Sequence, residues 1–246
     1  DGANVKTYVN GILETTTANT SALCNSVTNA SIGRTGAYNG VYFNGIIDEV
    51  QISNVARSAD EIAEAYRAGR DHRISKSFGS AQDLSAKTKL PFYVASDRPG
   101  TFMEATIGES AYANYEPDAN TKGLWHLEEA AGSGAYIKDS SGQGNNGTPT
   151  GTTFVQGKLG KARSFNGTSS DFIEIPNSSS LTISGNVTVD AWAKFSSNAE
   201  RFFVSKGSLL EYGISWYLYQ SGTGNLGFLR SYGNGSNVNA KYVTSA

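Results

Sequence analysis

The stretch Gly45-Ile46-Ile47-Asp48-Glu49-Val50-Gln51-Ile52-Ser53 decides the fold. It reads in period two, with Ile46, Asp48, Val50 and Ile52 on one face and Ile47, Glu49, Gln51 and Ser53 on the other, the alternation of a β-strand. Upstream, Val5, Thr7 and Val9 alternate with Lys6 and Tyr8 and run into Asn10-Gly11. That dipeptide suits a two-residue hairpin turn, whose central positions both need positive φ. Downstream, strands are predicted at Leu124–Glu128, Ala162–Phe165, Asp171–Ile175, Val187–Lys194, Phe202–Ser205, Tyr212–Tyr219, Asn225–Arg230 and Val238–Val243. Turn signals recur between them about every eight to twelve residues, which predicts an all-β, antiparallel β-sandwich.

One short helix interrupts the pattern. Ser58 and Glu61 form a capping box, Ile62, Ala65 and Tyr66 an apolar stripe, and Gly69 a C-terminal stop. Residues 73–121 differ from both flanks. Leu90–Ser96 and Thr101–Gly108 surround Asp97-Arg98-Pro99-Gly100 and read as a small β-hairpin, followed by a polar connector containing Pro117.

Composition removes several functions. Across 246 residues the net charge is −2 and only 17% are charged, so the clustered cations that bind nucleic acid are missing. No apolar run is long enough to insert in a membrane. The single Cys24 excludes an internal disulfide framework and a four-cysteine zinc site. His72 and His126 are far apart and neither sits in His-Glu-x-x-His, and no Gly-x-Ser-x-Gly elbow occurs. The expectation is a protein that is not an enzyme.

Two sets of motifs resemble opposite ends of one family, the laminin-G-like/concanavalin A-like jelly-roll domains of bacterial and archaeal surface and secreted proteins. Gly123-Leu124-Trp125-His126-Leu127-Glu128-Glu129, the Asp139–Gly147 loop, Gly160–Gly167, Asp171–Ile175 and Val187–Trp192 look like its opening half. Val5–Gly11, Ile32-Gly33-Arg34, Phe43–Ile52 and the capped helix resemble its closing half. The closing half comes first. The resemblance therefore implies residues 1–72 as the C-terminal half of one sandwich, 73–121 as a hairpin linker and 122–246 as an N-terminal half.

That order has three explanations: one period of a tandem polypeptide, a circularly permuted monomer, or half-sandwiches completed head-to-tail by copies of the chain. The first and third imply a non-catalytic extracellular structural or adhesive protein, the repeating unit of a cell-surface array or filament. The alternative is a carbohydrate-binding module of a secreted enzyme or adhesin. Trp192, Trp216, Tyr217, Tyr219 and Tyr232 lie near Gly/Asn/Ser turns or on strand faces, where flat rings could receive glycans. The same aromatics equally suit a sandwich core.

Asp48 sits among apolar residues by periodicity, and a buried carboxylate needs a partner or a metal. Asp139 opens a Gly/Asn-rich loop carrying Asn145 and Asn146, whose hard oxygens suit Ca²⁺. Many members of the family bind a structural calcium, and the resemblance implies that the first and last strands are neighbours. Asp48, Asp139, Asn145 and Asn146 are accordingly the candidate calcium ligands. The competing reading has Asp139 capping a turn and Asp48 pairing with Arg or Lys. Glycosidases on such sandwiches use a Glu-x-Asp-x-Glu strand, and here Ile46 and Val50 occupy the flanking positions.

Overall fold

A computed structural model describes residues 2–18, 23, 27–35, 41–71, 92–93, 104–105, 115–207, 216–231 and 238–243. The first strands are β1 (Asn4–Val9), β2 (Ile12–Ala18), β3 (Ala30–Ile32) and β4 (Asn44–Ser53). Helix α1 (Ala59–Asp71) follows, then β5 (Phe92–Tyr93), β6 (Glu104–Ala105), β7 (Thr121–Trp125), β8 (Thr148–Thr150) and β9 (Thr153–Gln156). The chain closes with β10 (Lys161–Asn166), β11 (Phe172–Ile175), β12 (Thr188–Phe195), β13 (Arg201–Lys206), β14 (Trp216–Gln220), β15 (Leu226–Ser231) and β16 (Val238–Val243).

Two antiparallel sheets pack face to face. One runs β12-β4-β10-β9, with β7 also on β4; the other runs β16-β15-β14-β13-β3-β11-β8. β10 and β7 share one edge of β4, pairing with Asn44–Ile47 and with Val50–Ser53 respectively. Every neighbour of β4 thus comes from the far end of the sequence, and β3 likewise sits between β11 and β13. Within one chain, strands of the first and last segments interleave into shared sheets. β5 and β6 pair antiparallel with each other; the rest of the linker hairpin lies outside the described residues.

The Asn10-Gly11 turn forms as its chemistry demands, with φ of 53° and 75°. The capping box closes reciprocally: the Ser58 N–H donates to Glu61 Oε2 at 2.8 Å, and the Glu61 N–H to Ser58 Oγ at 3.2 Å. The helix does not stop at Gly69. It continues to Asp71, because Gly69 serves as a contact point: a Cβ there would lie 2.6 Å from Trp192 Cζ2. Alanine is the better helix former by about 1 kcal/mol, yet Gly69→Ala is expected to destabilise the chain by about 1–3 kcal/mol through overpacking. Urea unfolding measures the sign.

Strand β4 departs from simple alternation. Asp190 pairs with Gln51 and Trp192 with Asp48, so Glu49 and Val50 together oppose Ala191, a β-bulge. Glu49 takes the left-handed conformation, φ 48°. The extra residue shifts the phase, so Ile47, Val50 and Ile52 enter the core. Asp48 therefore does not share the face of Val50 and Ile52, as strict alternation predicts. Around these residues the core gathers Trp125, Phe43, Phe165, Phe203 and Trp216.

Candidate functional site

The bulge places two carboxylates side by side outside the core, and both are buried. Asp48 Oδ2 accepts N–H bonds from Lys158 at 2.7 Å and Leu159 at 2.8 Å, anchoring the loop between β9 and β10. Burial nevertheless pushes Asp48 up to about 7, against the pull of those N–H groups and with a push from the Glu49 charge. Glu49 Oε2 meets His126 Nδ1 at 2.7 Å. Burial raises Glu49; it also pulls His126 down, but the hydrogen bond and charge of Glu49 carry the imidazole above its ordinary value. The pair holds its proton to higher pH than a free histidine would.

On the neighbouring strand, Asp190 shares the outer face with Thr188 and Trp192. As a residue of an edge strand it is half-buried, but its Oδ1 is sealed from solvent and accepts no hydrogen bond. Burial pushes it up to about 7, with the Arg57 charge opposing and Glu49 adding to the rise. Burial also lifts the Tyr115 phenol well above its usual value, and the Asp190 charge adds to this.

Asp190 and Tyr115, though not Asp48, Glu49 or His126, line a cavity of about 1030 Å³ beside β12. Gln51, Asp190, Trp192 and Tyr115 line its polar side; Val189, Phe203, Leu218 and Phe228 line its apolar side; β1 stands opposite. At its rim Arg57 holds Asp118 in a fork, Nη1 to Oδ2 at 2.7 Å and Nη2 to Oδ1 at 2.8 Å. Arg57 also donates to Ser53 and Glu61, and its own N–H to Thr188 Oγ1. The guanidinium holds Asp118 well below the usual carboxylate range. Through Asp118 this clamp ties the first segment to the end of the linker, and through Thr188 to β12.

The four candidate calcium ligands do not converge. Asp139 accepts N–H bonds from Leu124 and Ser141 on Oδ1 and from Asn145 on Oδ2, at 2.8–3.0 Å. Asn146 Oδ1 accepts the Asp139 N–H, and Asn145 Oδ1 accepts the Ser178 hydroxyl. The Asn145 amide donates to the Lys122 carbonyl and Ser180, and its carbonyl receives the Trp125 indole N–H at 2.8 Å. These oxygens already face donors, and Asp48 serves a different loop. Among the described residues, no group of three His, Cys, Asp or Glu side chains is placed to hold a metal ion. The set does not fit a shared calcium shell; it fits turn chemistry.

The aromatic candidates separate as well. Trp192 stacks on Tyr66 of α1, with ring centroids 5.3 Å apart, and Lys158 Nζ lies over its ring. Trp216 is in the core, stacked near Phe228. Tyr217 and Tyr219 face the other way and form a buried cluster with Phe202. Tyr232 lies outside the described residues, as do His72 and Cys24. The residues that sequence reading missed are Glu49, Asp190, Tyr115, Arg57 and Asp118; the out-of-phase acids Asp48-Glu49 in a buried strand were the available signal.

The architecture defines a class: an antiparallel, concanavalin A-like β-sandwich carrying one short helix. Residues 1–63 match the Laminin_G_3 model, described as the concanavalin A-like lectin/glucanases superfamily, in line with the motif resemblance of that segment. No curated protein and no solved structure matches the chain. No helix among the described residues is long and apolar enough to cross a membrane.

Proposed function

We propose that this chain is a non-catalytic structural or adhesive unit of an extracellular surface protein, associating with copies of itself by exchanging halves of the sandwich. The supporting observation is that β4 and β3 find all their partners in the far segment. The closing segment of one copy can therefore complete the opening segment of another through the same ladder and core contacts. The buried acids support a structural role, since Asp48 anchors a loop and Glu49 is held by His126. The covered faces of Trp192, Trp216, Tyr217 and Tyr219 weigh against the carbohydrate-binding alternative.

The Arg57–Asp118 fork provides the test, because it joins the first segment to the end of the linker, three residues before β7 of the opening half. Arg57→Glu and Asp118→Lys each put like charges together within one chain. In an exchanged pair of the two variants the reversed charges meet, and the other junction keeps its native fork. Each variant alone is expected to associate weakly, and an equimolar mixture to form mixed oligomers by light scattering. A mixture that stays monomeric, with the unaltered chain monomeric too, defeats the proposal.

A further inference from the structure

β12 ends its sheet: its residues pair with β4 on one side, and no other strand among the described residues takes the opposite side. An exposed strand edge offers a row of backbone donors and acceptors, a template for another strand. Here that edge opens into the cavity of about 1030 Å³ rather than onto a flat surface. The two faces of the missing neighbour are also specified. Side chains turned inward would meet Val189, Phe203, Leu218, Leu226 and Phe228, all of which line the space. A side chain turned outward beside Asp190 would meet a carboxylate that lines the cavity and whose Oδ1 has no hydrogen-bond partner. Arg57 is spent on Asp118, Glu61 and Ser53 and makes no hydrogen bond to Asp190. Trp192 and Tyr115 line the same cavity, but the Trp192 ring is already occupied by Tyr66 and Lys158, so Asp190 alone supplies the charge preference.

We infer that the cleft at the edge of β12 is a binding site for an extended peptide strand of a partner chain, apolar at alternate positions and carrying one Lys or Arg opposite Asp190. Recognition then has two parts. Main-chain bonding to β12 and burial of the apolar positions supply affinity, as in strand addition generally. The charge at Asp190 supplies register, because a slip by one residue would turn the cation into the apolar side. Burial has already raised the Asp190 carboxyl, and an arriving cation would reverse that rise. A small amphipathic molecule would fill the volume but leave the β12 main-chain groups unanswered. This assignment deepens the proposed self-association by naming what a neighbouring unit would insert, yet it does not depend on the exchange of halves.

The test uses the whole chain and a capped synthetic peptide alternating Val and Thr with Lys at its centre. Binding is followed at about pH 8 by calorimetry, with a second peptide carrying Gln in place of Lys. The Lys peptide is expected to bind about tenfold or more tightly than the Gln peptide, as for a desolvated charge pair. Asp190→Asn is expected to abolish that preference while the Gln peptide binds unchanged. The Lys/Gln comparison on the unaltered chain needs no variant, so a misfolded variant does not spare the proposal. Equal binding of both peptides, or no binding to the folded chain, overturns it. Light scattering on the same samples separates the two ideas: peptide binding by a monomeric chain defeats self-association alone, and self-association without peptide binding defeats the cleft alone.

Discussion

The sandwich is expected to be more stable at about pH 5 than at about pH 8, by about 3–5 kcal/mol, the reverse of a fold held by exposed ion pairs. Asp48 and Asp190 both stand at about 7 in the folded chain, whereas an unfolded aspartate titrates near about 3.9. The folded state thus binds more protons across that interval. Each group contributes stability that is complete below about pH 4 and is lost as the pH rises through about 7. A shift of about three units corresponds to a ceiling of about 4 kcal/mol per group. Coupling through Glu49 makes the two contributions less than additive. The Glu49–His126 pair acts with the same sign, since His126 is raised and its contribution fades as the pH climbs past its folded value. Asp118 and Glu61 act oppositely, being held below the usual range. Both lie at the solvent-exposed rim, where screening keeps such pairs weak.

Urea unfolding across that range measures the slope. Asp190→Asn is expected to remove about half of it and to stabilise the chain at about pH 8 by about 2–4 kcal/mol, since a neutral amide carries no buried charge. A stability that is flat or rises between pH 5 and 8 would contradict the burial of these carboxylates. The Glu49 backbone adds a constant, pH-independent cost of about 1–2 kcal/mol for its left-handed conformation.

What the sequence could reveal follows from which interactions are local. The Asn10-Gly11 turn and the Ser58/Glu61 cap are complete within a few residues, and both form as read. Plain alternation holds along β12, where Val189 and Ala191 pack on the core and Trp192 stacks on Tyr66 of α1. The same rule failed in β4, where one extra residue at Glu49 shifts every later side chain; a bulge carries no signature when its left-handed position is not glycine. Gly69 misled for a related reason: a glycine at a helix end reads as a stop, and only the tertiary contact with Trp192 shows it as a point of close approach. The pairs Glu49–His126 and Arg57–Asp118 join residues far apart in sequence. No spacing rule reaches such pairs, and they became visible only when β7 was laid beside β4.

Asp139 shows how one residue can carry two readings that a single experiment separates. Its carboxylate collects the N–H groups of Leu124, Ser141 and Asn145, which fixes the loop under Trp125 and, through Asn145, the Ser178–Ser180 turn. Asp139→Ala leaves those donors without their acceptor, and bonds to a charged group are the stronger kind, so a loss of about 3–5 kcal/mol is expected. Asp139→Asn is expected to cost nearly as much, because its amide would turn a donor toward an N–H that needs an acceptor. Neither loss should depend on calcium. The melting temperature of the unaltered chain is expected to be the same in excess Ca²⁺ and in EDTA, because the oxygens that a cation would need already face protein donors. If Ca²⁺ raises the unaltered chain's midpoint by several degrees and Asp139→Ala abolishes that rise, these oxygens ligate a cation in solution. The Asx-turn account of the loop would then give way to the coordination shell implied by the family resemblance.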